Sequence, residues 1–443
     1  MPALLDSYIT EAERTGATRR RIDPDWLSQA RRSGLERFQA LGFPTTRDEA
    51  WRFTSVAPIA EGRFTLASNG ASSLDRGELA RFQLPHETAA TLVFVNGRCV
   101  AAASDVDRLP PGVQVETFGH VASSRTDKLE AYLGRIAAVD RQPFVALNTA
   151  FLVDGAFVHV PDSIIVHAPI QLLFLSVDGQ RPLMAHPRVL VVMGASSQAT
   201  IVESYASFVT PDAASRSAQY FTNTVTEAVV GENATLEHIK LQRESPGSFH
   251  VGGMYLRTAR DANITCHSIS LGGALVRNDV LAVLDGEGGM CTLNGLYLGE
   301  GTRLVDNHTT IDHARPHCGS REIYKGILAD RAQAVFNGKI VVRPDAQKTD
   351  AKQTNKALLL SEDAQINTKP ELEIFANDVK CTHGAAVGQM DDEAIFYLRA
   401  RGLGEQEARH LLIRAFASDV LNQIPLEQLR TRIDEDLSRR LQP

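Results

Sequence analysis

The pattern of apolar and polar positions changes character twice along the chain. In DPDWLSQARRSGLERFQALG, Trp26, Ala30, Leu35 and Phe38 recur at helical spacing, Asp23 stands where a cap is expected, and Pro24 suits a first turn. Gly42 and Pro44 then stop the pattern. A mixed region follows, with a strand-like TLVFVNG, a helix-like KLEAYLGRIAAV, and PFVALNTAF leading into strands. From about residue 156 to 380, short runs rich in Val, Ile, Leu and Thr are broken by Gly, Asn, Asp and Ser, and helical periodicity almost vanishes. Helix then returns. Asp391, Asp392 and Glu393 place negative charge at a helix start, and a second helix carries Ala408, Leu411, Leu412, Ala415, Phe416 and Val420 as an apolar stripe. Pro425 ends it, and LEQLRTRIDEDLSRRL closes the chain. The pattern divides the chain into residues 1–155, helical and mixed, residues 156–384, all β, and residues 385–443, helical.

The β region has a loose internal repeat. GASSQATI, GENATL, ARDANI, ADRAQAV and SEDAQI each set a small or polar corner before an alanine, with an apolar residue two positions later. The alanines are Ala199, Ala234, Ala262, Ala332 and Ala364; the interval from Ala262 to Ala332 leaves room for one more coil, for which GEGGMCTL is the candidate. Units of this size cannot bury their apolar faces alone, and stacking them produces a continuous core, the logic of a parallel β-helix. An irregular β-sandwich is the alternative, but the corners recur without clean hairpin dipeptides. Solenoid ends need caps, and the helical parts at both ends of the chain are the expected ones.

Composition narrows the function. With 443 residues the chain exceeds one ordinary hydrophobic core. A hydrophobic fraction of 43%, a charged fraction of 22% and a net charge of -7 read as an ordinary globular protein with no broad nucleic-acid surface. Five scattered cysteines without a C-x-x-C pair point to a reducing compartment rather than a disulfide framework. The N-terminus has no signal-peptide character, and no run approaches the roughly 20 apolar residues of a membrane span. A cytoplasmic protein without a membrane segment is the expectation. No phosphate loop, H-E-x-x-H, G-x-S-x-G or dinucleotide fingerprint is present, so no ATP hydrolysis by this chain is expected.

Three segments are dense in chemistry. DNHTTIDHARPHC holds Asp306, His308, Asp312, His313, His317 and Cys318, donors suited to a transition metal; but His308 and His313 lie five apart and would face opposite sides of a strand, so a structural role for 306–318 is preferred. In KCTHGAAVG, Cys381 and His383 share a strand face, and a thiol and an imidazole there are either two ligands of an incomplete site or a buried cysteine beside a satisfied histidine. AQKTDAKQTNKALLLS, with Gln347, Asp350, Gln353 and Asn355, reads as solenoid corners bonding their own backbone, with a polar recognition ladder as the functional alternative.

The segment from Asn307 to Ala417, including HTTIDHARPHCGSREIYKGILADRAQAVFNGKIVV, the stretch from DAQKTDAKQTNKALLLS through KCTHGAAVGQMDDEAIFYLRARGL, and EARHLLIRAFASDVL, resembles the SufB/SufD family. RDEAWRFTS around Trp51 and PFVALNTAF are similar to that family's N-terminal signature and core entry. KCTHGAAVGQMDDE resembles the SufD branch, and the strand from which SufB-like chains supply their principal cluster-building cysteine has none here. The resemblance implies a right-handed parallel β-helix between helical domains and a role as a non-catalytic scaffold in iron–sulfur cluster assembly. It implies a heterodimer with SufB through the β-helix, with a homodimer open when SufB is absent, and SufC, an ABC-type ATPase, on the C-terminal helices, for which Arg409, Leu412, Arg414 and Phe416 are the candidate contacts. It places His383, with Cys381 as its neighbour, at the site of a nascent cluster, and implies a transient cluster in the complex with no cofactor or metal held tightly by the isolated chain. The competing readings are a β-helix enzyme acting on a carbohydrate or an acyl carrier, for which neither a hexapeptide repeat nor a paired-carboxylate cleft is present, and a purely structural homodimer.

Overall fold

The computed structural model describes residues 2–19, 22–67, 76–85, 87–124, 126–177, 181–208 and 219–441. Its centre is a parallel β-solenoid of about 7 turns, with helices at both termini. Each coil gives one strand to each of two facing sheets. One sheet stacks Arg188–Met193, Tyr220–Val230, Phe249–Thr258, Leu275–Leu284, Leu304–His313, Gln333–Val342 and Gln365–Ile374 in chain order. The other stacks Gln198–Phe208, Thr235–Arg243, Asn263–Ser270, Met290–Gly299, Gly319–Leu328, Asp350–Leu359 and Lys380–Gln389. Within the second sheet, from Thr235 onward, subtracting register partners (Asn263 from Met290, Gly319 from Asp350) gives coils of 27 to 31 residues.

The repeat has a backbone cause. Ser196, Asn233, Asp261, Gly288, His317 and Lys348, with φ of 56°, 55°, 54°, 75°, 58° and 63°, each lie two residues before a strand of the second sheet and stack above one another. A left-handed residue makes this corner in each of these coils, a conformation that Asn, Asp and Gly adopt most easily. Ala234 and Ala262 follow this corner, whereas Ala332 and Ala364 follow the opposite one, before the first sheet. The long interval between Ala262 and Ala332 is therefore a change of corner as well as an extra coil, and Gly286–Leu293 is that coil. All five alanines are buried.

The outer faces of both sheets are covered. The N-terminal helices Pro2–Arg19, Asp25–Leu41 and Pro143–Ala150 pack against the first sheet through Tyr8, Phe38, Phe144 and Phe151 on Phe221, Phe249 and Leu275. Asp25–Leu41 buries Leu27, Arg31, Gly34 and Phe38, a stripe rotated from the expected one. Gly34 sits where the helix crosses Pro143–Ala150, and an added Cβ would lie 2.9 Å from Ala146 O. Asp23 does not cap the helix: its carboxylate pairs with Arg19 and Arg31, and Arg31 also donates to Leu152 O. A buried pair, Arg188 and Glu227 at 2.5 Å, fastens the loop before Pro143 to the solenoid, because Glu227 also accepts the amides of Gly134, Ile136 and Ala137.

The C-terminal helices Asp392–Arg399, Glu405–Leu421 and Glu427–Arg440 turn back along the second sheet. Ile413, Ala417, Val420, Leu421, Leu429 and Ile433 meet Ile239, Ile269, Leu296 and Ile327 there. The buried stripe of Glu405–Leu421 is Ala408, Ile413, Ala417, Val420 and Leu421; Leu411 and Ala415, expected on it, face outward. These helices flank the solenoid rather than cap it. The first end is closed by antiparallel strands, Gln114–Thr117 on Ala156–Val160 and Arg98–Cys99 on Ala90–Val95. Among the described residues nothing caps the last end, against the expectation of caps at both ends.

Candidate functional site at the open end of the solenoid

Two edge strands form the open end, and they differ. Gln365–Ile374 carries Pro370, which lacks a backbone donor, and the charges Lys369, Glu371 and Glu373, all features that discourage further strand pairing. Lys380–Gln389 reads KCTHGAAVGQ, with no proline and no charge after Lys380, and every residue but half-buried Cys381 is exposed. Its free backbone groups are available to another chain. Ile374, Phe375 and Val387, at 39%, 63% and 48% exposure, add apolar surface around it.

Register fixes which way this strand points. Cys381 pairs with Ala351, His383 with Gln353, Ala385 with Asn355 and Val387 with Ala357. Those four partners are all buried, so Cys381, His383, Ala385 and Val387 lie on the interior face of the last coil. Cys381 and His383 thus share one face, as strand alternation predicts, with Cys381 half-buried and His383 exposed. Cys381 packs beside Ile340, Val342, Ala351 and Ala376, and burial pushes its thiol above the usual range. Among the described residues, no cluster of three or more His, Cys, Asp and Glu side chains is placed to hold a metal ion.

Behind His383 lies a polar row inside the solenoid. Glu322, on Gly319–Leu328, is the register partner of Gln353, and Gln353 Nε2 donates to Glu322 Oε2 at 2.7 Å. Burial pushes the Glu322 carboxyl up to about 7, with Thr309 and Gln353 only partly pulling it back. Asn355 donates to Thr368 Oγ1 at 2.8 Å across the interior. Gln353 and Asn355 are therefore mid-strand interior groups rather than the expected corners. Only Gln347 behaves as a corner residue, donating to Pro344 O, while Asp350 pairs with Arg321.

The 306–318 cluster is dispersed. Asp306 and His308 face outward, His308 Nε2 lying 3.1 Å from Asp306 Oδ1. Asp306 is buried between Arg277, at 2.5 Å, and the Thr54 hydroxyl. Arg277 stacks on Trp51, 4.3 Å from its ring centroid, and donates to Ala50 O at 2.8 Å. These contacts hold RDEAWRFTS against the sheet, so Asp306 is structural, as preferred from its sequence. Asp312 pairs with Arg343, His313 is buried with Ser320 at 3.0 Å, His317 is a left-handed corner, and Cys318 is buried against Gly286 O.

A second exposed surface lies on the C-terminal helices. Phe396, Tyr397 and Leu411 are 74%, 56% and 45% exposed. Asp391 caps the first of these helices by accepting from Glu393 and Ala394 amides. Of the sequence candidates, Arg414 pairs with Asp434 on the next helix, Phe416 packs over buried Lys325 Nζ at 4.5 Å, and Leu412 and Arg409 are half-buried. Phe396 stands largely uncovered on the first of these helices.

Comparison with known proteins decides the family. Residues 174–416 match the SUF system FeS cluster assembly, SufBD core domain, and residues 6–172 match the SufBD protein N-terminal region. The chain belongs to the SufBD family. An iron–sulfur cluster assembly SufBD family protein of Synechocystis sp. is 37% identical over 414 residues, 93% of this chain and 90% of that protein. Escherichia coli SufD is 33% identical, covering 92% and 91%. Bacillus subtilis SufD is 26% identical, covering 95% of each chain. Among SufBD proteins this chain is SufD-like, and its open end and RDEAWRFTS anchor both lie within the matched regions.

Proposed function

We propose that this chain is the SufD-like scaffold of an iron–sulfur cluster assembly complex, pairing with a SufB-type subunit through Lys380–Gln389 and binding a SufC-type ATPase on its C-terminal helices. The observation that carries this reading is the uncapped end of the solenoid, with an unblunted edge strand that presents His383 and Cys381 on its interior face. A second solenoid of the same family can continue the stack there, adding main-chain hydrogen bonds along the edge. His383 then lies between two chains, free to offer a neutral imidazole to iron, while the remaining ligands come from the partner. The cluster is cargo, held transiently, and the isolated chain keeps no cofactor and catalyses no reaction. Without the partner, the same edge supports a homodimer. The ATPase surface is best represented by Phe396, Tyr397 and Leu411, with Arg414, Arg409, Leu412 and Phe416 on the same helical unit.

The test is co-expression with SufB and SufC, purification of the complex, and counting of iron and sulfide. His383→Ala should leave melting temperature and complex formation unchanged and lower cluster content, and Cys381→Ser should have a smaller effect. Full cluster content in His383→Ala would end the ligand reading. Failure to capture either partner would end the scaffold reading.

A further inference from the structure

The polar row behind the edge strand has a direction. Glu322, Gln353 and His383 are successive register partners on one interior face, one per coil. Gln353 is 2% exposed, and its Nε2 is committed to Glu322 in the coil below. Its Oε1 is buried and, among the described residues, has no hydrogen-bond partner. An orphaned buried carbonyl is costly, so its presence calls for a partner that arrives from elsewhere. Gly338 on the facing sheet makes room for the amide, since a Cβ there would lie 2.3 Å from Gln353 Nε2. The side chain next to Gln353 on the open side of the row is His383.

We infer that Gln353 is a positioning residue for His383: its free Oε1 accepts one ring N–H of the imidazole, and Glu322 holds the amide in the orientation that makes this possible. Rotation of the exposed imidazole brings the ring N–H onto Oε1, leaves the other ring nitrogen facing the partner, and fixes the tautomer. Metal-ligating histidines generally depend on such an acceptor, and loss of it typically lowers metal affinity roughly 10–100-fold. The inference rests on the reading of His383 as a ligand, but it predicts a property of the isolated chain as well.

The test is Gln353→Met, which keeps length and removes the acceptor. In the isolated, 15N-histidine-labelled chain, with the His383 signals assigned by subtraction of a His383→Gln spectrum, the wild type should show one dominant neutral tautomer and Gln353→Met a mixture. In the complex with SufB and SufC, supplied with ferrous iron and sulfide, retained iron should fall about tenfold. If Gln353→Met fails to fold, Glu322→Met/Gln353→Met removes both polar partners together, which costs far less than orphaning one of them. An unchanged tautomer ratio overturns the inference. So does a changed ratio with unchanged iron where His383→Ala loses iron. If His383→Ala itself retains iron, the ligand reading fails, and the tautomer ratio still decides whether Gln353 orients the ring.

Discussion

Glu322 gives the interior row a thermodynamic signature. It is a fully buried carboxyl on Gly319–Leu328, and among the described residues no lysine or arginine pairs with it. Burial lifts its pKa from 4.5 to about 7. Between those values the folded chain binds a proton that the unfolded chain has released, so this group's contribution to stability falls as pH rises and levels off above the folded value. At about 1.36 kcal/mol per pH unit, the full displacement amounts to roughly 3 kcal/mol. Glu322→Gln keeps the shape and can still accept from Gln353 Nε2, but it does not titrate. The stability of Glu322→Gln relative to wild type should therefore rise by roughly 3 kcal/mol between about pH 4.5 and about pH 7, then stay flat. Denaturant unfolding of both chains at several pH values measures this, and taking the difference cancels the titration of every other group. A difference independent of pH would refute the reasoning, since it would mean that the carboxyl titrates alike in both states.

Other consequences are equally measurable. Asp306→Ala should destabilise the chain by about 3–5 kcal/mol in denaturant unfolding, because Arg277 stays buried with only Asp279 beside it and Trp51 loses its anchor. Phe396→Asp should leave unfolding within about 0.5 kcal/mol of wild type yet weaken capture of SufC in a pull-down, because the ring is 74% exposed. In the native chain, iodoacetamide should modify Cys381 and Cys99 first and spare Cys266 and Cys291, which are fully enclosed and whose thiols burial pushes upward, that of Cys291 to about 12. Mass spectrometry of the peptides reads the order directly.

The stacked coils were legible because their corners repeat in sequence: a residue that tolerates the left-handed region, then a small residue, then an apolar one. What stayed hidden was which corner each alanine occupies, since both corners use the same residue types and only hydrogen-bond register tells Ala262 from Ala332. Helical faces were legible only to within part of a turn. Gly34 and Ala417 face inward because neighbouring elements pass close to them, a tertiary demand that single-chain periodicity does not carry. At the open end, strand alternation was enough to place Cys381 and His383 on one face. It could not reveal that Gln353 continues the same row 30 residues earlier, because adjacency across coils depends on coil length, and coil length varies from turn to turn.

The missing cap also makes the last coil unlike the others in its statistics. In a one-dimensional stack each coil is stabilised mainly by its two neighbours, and a terminal one has a single neighbour. Lys380–Gln389 must therefore open more often than the interior strands, and its amides should exchange with solvent at a free energy well below that of global unfolding. A partner that supplies the next coil does more than make contacts: it converts an end into an interior. Docking and local ordering are then one equilibrium, and slowed exchange at residues 380–389 would report assembly without any label on the partner.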